Sequence, residues 1–193
     1  MSDWPVRSAE SRSDDDAALV EAARGGDRSA YGHLYDRHAR MVHGILLARV
    51  PPNEVDDLTQ DVFLAAMPRL SSLRDTASFG AWLAAIARNR ANDFFRRAKP
   101  TIDLSGSLAA EKIADRAATS PQIAEASAIL EAIRTLPDAY RETLILRLVE
   151  GMTGPEIAAR TGLAAGSVRV NLHRGMQQLR ERLGAPSSSP RTL

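Results

Sequence analysis

Cysteine is absent from the 193 residues, which excludes disulfide frameworks, thiolate zinc sites and cysteine nucleophiles together. No apolar run approaches the roughly 18 residues that a membrane-spanning helix needs. The opening residues, Met1-Ser2-Asp3-Trp4-Pro5, are polar and acidic and lack the apolar core of a secretory signal. The chain is therefore read as cytoplasmic, with no membrane insertion. Aromatic residues are scarce, at 5%, and no strand pattern of any length is present. There is no Walker-type loop, no nucleophile elbow and no H-E-x-x-H stretch. Gly25-Gly26-Asp27 is too short to cradle a phosphate and reads as a helix break. His33, His38 and His43 recur every five residues, which scatters them around a helix instead of converging them on a metal. No catalytic residue, no metal site and no cofactor is expected, and the chain is not read as an enzyme.

Net charge is also nearly missing, at +1. Its distribution says more than its sum. Residues 2–21 are acidic, whereas Arg88 to Lys99 and Arg169 to Arg182 are basic, so a near-neutral total conceals two cationic patches.

What the chain has in quantity is Ala, Leu and Arg in helical periods. The spacing predicts an all-α fold of two small helical domains joined by a flexible linker, the second ending in a helix-turn-helix. Residues 1–15 read as a disordered acidic N-terminus. A first domain follows over residues 16–99. Its first helix starts near Asp16 and breaks at Gly25-Gly26. Asp27 caps a second helix carrying Tyr31, Leu34, Tyr35, His38, Met41, Val42, Ile45 and Leu46 on one face. Pro51-Pro52 end it, and Asn53 is placed to cap a third helix. That helix carries Val55, Leu58, Val62, Ala65 and Ala66 on one side, with acidic residues largely on the other. Pro68 closes it, and Ser78 is placed to cap a fourth helix running from Phe79 to Arg97. Residues 100–122 have little periodicity and read as the linker, and residues 185–193 as a loose tail.

In the second domain, residues 123–184, a stripe of Ile129, Leu130, Ile133 and Leu136 ends at Pro137. Asp138 is placed to cap a helix that buries Leu144, Ile145, Leu148 and Val149. Thr153-Gly154-Pro155-Glu156 is a capping box with proline in the first turn. A tight turn at Thr161-Gly162-Leu163 precedes a last helix whose inner side carries Val168, Leu172, Leu179 and Leu183. This is helix-turn-helix spacing, and it puts Ser167, Arg169, Val170, His173 and Arg174 near the exposed N-terminal part of a recognition helix. Arginine there suits guanine edges and phosphates. The segment from Phe79 to Lys99 sets aromatics beside Arg88, Arg90, Arg96, Arg97 and Lys99, with Asn89 and Asn92 between them, a composition suited to single-stranded DNA.

Asp56-Asp57-Leu58-Thr59-Gln60-Asp61-Val62-Phe63-Leu64 resembles the D-L-x-Q-[DE]-x-F-L stretch of bacterial sigma factors. Phe79-Gly80-Ala81-Trp82-Leu83-Ala84-Ala85-Ile86-Ala87-Arg88-Asn89 resembles the F-x-x-W-L-x-x-I-A-x-N that follows it. Leu136-Pro137-Asp138-Ala139-Tyr140-Arg141, Gly166-Ser167-Val168-Arg169 and Leu172-His173-Arg174 are similar to the closing domain. Together they identify the chain as a member of the extracytoplasmic-function (ECF) group of the sigma-70 family. The resemblance implies a factor that binds core RNA polymerase, through the β′ clamp helices and the β flap, and directs promoter recognition and opening. It implies docking on polymerase by Asp57, Gln60, Asp61 and Phe63. Contacts to the minus-ten element fall to Phe79, Trp82, Asn89, Asn92, Asp93, Arg96 and Arg97, with Asn89 as a pocket residue for a flipped base. Contacts to the minus-thirty-five element fall to Ser167, Arg169, Val170, His173 and Arg174. The linker, with Asp103, Glu111 and Asp115, would thread toward the polymerase cleft, and an anti-sigma factor is a further partner of many relatives. Two departures stand out: Pro68 interrupts a helix that usually continues, and Val170-Asn171 stand where Ser and Arg are frequent. The alternative from another class is a free-standing helix-turn-helix regulator, for which the acidic third helix and the segment suited to single strands are superfluous.

Overall fold

A computed structural model describes residues 9–98 and 121–184. The expected acidic N-terminal segment up to residue 8, the linker with Asp103, Glu111 and Asp115, and the tail from residue 185 lie outside the described residues. The described chain is helical without strands: α1 (Ala9–Arg24), α2 (Arg28–Leu47), α3 (Val55–Ala66), α4 (Phe79–Ala98), α5 (Pro121–Arg134), α6 (Asp138–Leu148), α7 (Gly154–Thr161) and α8 (Ala165–Arg182).

Local chemistry explains most of the boundaries. Asp27 caps α2, accepting from the backbone N–H groups of Ser29 and Ala30 at 2.8 and 3.1 Å. The Pro68 ring follows the last residues of α3, and the chain tightens into a 3-10 turn over Met67–Ser72. Thr153 and Glu156 form a reciprocal capping box at α7, and Gly162 closes that helix at φ +73°, a conformation that favours glycine.

Four helix starts differ from expectation. α1 begins at Ala9, seven residues before Asp16, and is held against α2 by Asp16, which lies 3.0 Å from Arg37 and 2.8 Å from His38. Asn53 does not cap α3, because Pro51-Pro52 drive a 3-10 turn over Pro52–Glu54 and leave Asn53 inside it, donating to Glu54. Ser78 directs its hydroxyl to Asp75, and it is Asp75 that caps the turn leading into α4. Asp138 sits in the first turn of α6 behind a Pro137 cap and accepts from Arg141.

The helices of each half pack on one another, and the buried apolar residues form one continuous cluster through both halves. In α1–α4 it contains Leu34, Met41, Ile45, Val62, Phe79 and Leu83; in α5–α8 it contains Ile133, Leu136, Leu144, Ile145, Ile157 and Val168. α6 packs on α8 and also on α2. Glu142 to Leu146 are consequently buried all round, while the end of the helix overhangs: Leu148 and Val149 are exposed at 46% and 48%, against the expectation that they lie in the core. Leu183, likewise expected inside, is exposed beyond the last turn of α8.

Candidate polymerase and nucleic-acid interfaces

α3 turns a face to solvent at intervals of three and four residues: Asp57, Gln60, Asp61, Leu64 and Met67. Asp57 and Gln60 are exposed, and beyond these polar residues the strip ends in two exposed apolar side chains, Leu64 at 69% and Met67. Sequence reasoning passed over Leu64 and Met67 as interface residues, although their spacing from Gln60 and Asp61 carries the signal. Asp61 is less free than its motif implies, because Arg90 of α4 reaches it at 3.1 Å. Phe63 is a correction. It points the other way, is 3% exposed, and meets the rings of Tyr31 and Tyr35 with centroids at 6.5 and 4.6 Å. Tyr31 donates to the Phe63 carbonyl, and burial pushes its phenol up to about 12. Phe63 thus shapes α3 from inside and is not presented to a partner.

α4 separates into a buried first half and an open second half. Phe79 is fully buried against the His38 ring, at 5.1 Å between centroids, and Trp82 is half-buried beside it. Phe79, expected on the minus-ten surface, is therefore a core residue. Asn89 and Asn92 are exposed, one turn apart, with no hydrogen-bond partner among the described residues. Asp93 accepts from Arg96, and Arg97 is exposed. Phe95, 47% exposed beside Asn92, adds a stacking face that the sequence reading did not single out. Between α3 and α4 a cleft is lined by Leu58, Asp61, Arg90, Asp93, Phe94 and Arg97.

In the second half, Val168, Gly175 and Leu179 are buried along the inner face of α8, with Leu172 partly buried. Ser167, Arg169, Val170, His173 and Arg174 are all exposed, and the last four line a shallow groove along the outer face. Each expected recognition residue is thus on the solvent side of a helix that follows the left-handed Gly162 closing α7.

Family models for sigma-70 region 2 and for sigma-70, region 4 match residues 34–101 and 126–179 in that order. The RNA polymerase sigma factor CarQ of Myxococcus xanthus is 33% identical over 169 residues, which cover 86% of this chain and 95% of CarQ. This chain is a sigma-70 family sigma factor. The ECF RNA polymerase sigma factor SigM of Mycobacterium tuberculosis is 33% identical over 172 residues, 88% of this chain and 85% of SigM, which places it in the ECF group. A solved structure of CnrH in complex with the cytosolic domain of CnrY aligns over 90% of this chain and 99% of CnrH, with TM-score 0.61 and 28% identity. As an ECF sigma factor the chain acts in promoter recognition and transcription initiation with RNA polymerase. No described helix of this sigma factor is long and apolar enough to cross a membrane.

Proposed function

We propose that this sigma factor performs its role by binding alone, with polymerase supplying the chemistry, and that three faces divide the work in the cytoplasm. The outer face of α3 (Asp57, Gln60 and Asp61, with Leu64) docks on the β′ clamp helices. The open half of α4 (Asn89, Asn92, Asp93, Arg96 and Arg97, supported by Trp82) takes the minus-ten element. The outer face of α8 (Ser167, Arg169, Val170, His173 and Arg174) reads the minus-thirty-five element, with the β flap as a further contact of the second half. The observation that carries this reading is the common exposure of the five α8 residues. A helix that needed those residues for packing would bury some of them.

Opening costs a few kcal/mol per unstacked base, offset when a flipped base is held by protein groups. The Asn89 amide offers both donors and an acceptor to such a base. A protein regulator of the anti-sigma kind is a further expected partner, on the precedent of the CnrH complex. Run-off transcription with purified core polymerase on the DNA upstream of this chain's own gene tests the reading. A discrete transcript that depends on the chain is expected, and Asp57→Lys should weaken core binding at least tenfold, about 1.4 kcal/mol. Duplex binding without any polymerase-dependent transcript would favour a free-standing regulator instead.

A further inference from the structure

The outer face of α8 carries more than the cations that suit a DNA backbone. Arg169, Val170, His173 and Arg174 line a shallow groove, and Val170 stands within it at 42% exposure. Val170 lies about half a turn around the helix from the buried stripe of Val168, Gly175 and Leu179, so it points away from the core. One turn earlier on the same face is Gly166, where an added Cβ would meet nothing within 4 Å. Side chains on a helix lean toward its N-terminus, so the valine methyl groups lean over bare glycine and stay uncovered.

A lone exposed apolar side chain is ordinary on a protein surface. This one is set apart by its surroundings. Among the exposed residues of α8 it alone is branched and apolar, and from Ala165 to Arg180 the helix has no acidic residue. A β-branched residue also costs helix stability at a position where packing returns nothing. Its one strongly preferred χ1 rotamer in a helix makes it a rigid contact that loses little freedom when covered.

Resting on the reading of α8 as the minus-thirty-five reader, we propose that Val170 is a specificity residue that recognises the C5-methyl group of a thymine in the major groove. Among the four bases only thymine presents an apolar group on that edge, and an apolar side chain is its complement. Arg169, His173 and Arg174 flank Val170 with nitrogen donors for phosphates and guanine, which hold the helix against the duplex while the methyl contact discriminates. The cations set the salt slope; Val170 carries no charge and sets the preference at one base pair.

Holoenzymes carrying the wild-type chain or Val170→Ser are used to enrich duplexes from a pool randomised across the upstream element. The wild type should fix a thymine that the Val170→Ser holoenzyme leaves unselected. Replacing that thymidine by deoxyuridine removes the methyl group and nothing else. Wild-type affinity should fall about fourfold, the worth of one buried methyl group, and that of Val170→Ser should not respond. Cytosine at the same position should gain on 5-methylation with the wild type alone. The salt slope and the helix content should be equal in the two proteins. An equal deoxyuridine penalty in both, or a selected site indifferent to every thymine methyl, would overturn the methyl contact while leaving α8 as the reading helix. A pool from which the wild type enriches no upstream sequence would overturn the reading of α8 itself, and the methyl contact with it.

Discussion

Gly162 and Gly166 lie four residues apart and make opposite demands. Gly162 has φ +73°, and a Cβ there would sit 2.8 Å from the Ala81 Cβ, whereas around Gly166 nothing comes within 4 Å of a Cβ. Gly162→Ala should cost at least about 1 kcal/mol, lowering the melting temperature by several degrees, while Gly166→Ala should be neutral or stabilising by up to about 1 kcal/mol. Thermal unfolding by circular dichroism checks both, and equal effects would contradict the turn geometry. His43 makes a second demand, on pH. Its ring faces Glu150 and Asp56, with Arg40 on the same Glu150, and its pKa is raised mainly by the hydrogen bond to Glu150, against an opposing effect of burial. A raised folded-state pKa means that the stabilisation is complete below the ordinary value of 6.5 and is lost as pH rises through the folded value. The stability gap between the wild type and His43→Gln should therefore shrink from pH 6 toward pH 8.5. A gap that grows over that range would reverse the assignment.

At the scale of the element, α8, the proposed recognition helix, carries the sharpest expectations. If Arg169 reads a guanine edge, Arg169→Ala should cost about 1–3 kcal/mol and relax specificity at one base pair. If Arg174 holds a phosphate, Arg174→Ala should weaken all sequences alike and lower the salt slope by about one. Titrations of promoter and scrambled duplex at several salt concentrations separate the two, and a double variant with unchanged affinity and slope would move DNA reading off this face. The helix was legible in the sequence because its signals are local: Thr153 and Glu156 three residues apart, a glycine at the turn, and Val168 and Leu179 on one side. Where the reading missed, the cause was tertiary. Periodicity cannot say that α6 packs against α2 as well as α8, so it could not tell Leu146, which is buried, from Leu148, which is exposed. Nor can a motif match show which side of α3 Phe63 takes; that is decided by the Tyr31 and Tyr35 rings.

At the scale of the whole molecule, both proposed DNA faces are open to solvent, while the buried carboxylates of Glu142 and Glu150 lie in the seam where the two halves pack together. The sequence showed the two halves through their family motifs, but not the seam, because Glu142 meets Arg88 and Arg49 only through the packing of α6 on the first half. The account as a whole claims a division of labour, in which α8 binds the duplex and the open half of α4 holds the opened strand. The permanganate reactivity of minus-ten thymines, measured in holoenzymes carrying the wild type, Asn89→Ala or Arg169→Ala/Arg174→Ala, tests it most directly. Asn89→Ala should retain upstream duplex protection and lose about tenfold in thymine reactivity, about 1.4 kcal/mol, and the double arginine variant should lose both. Reactivity at the wild-type level in the Asn89→Ala holoenzyme would contradict the account.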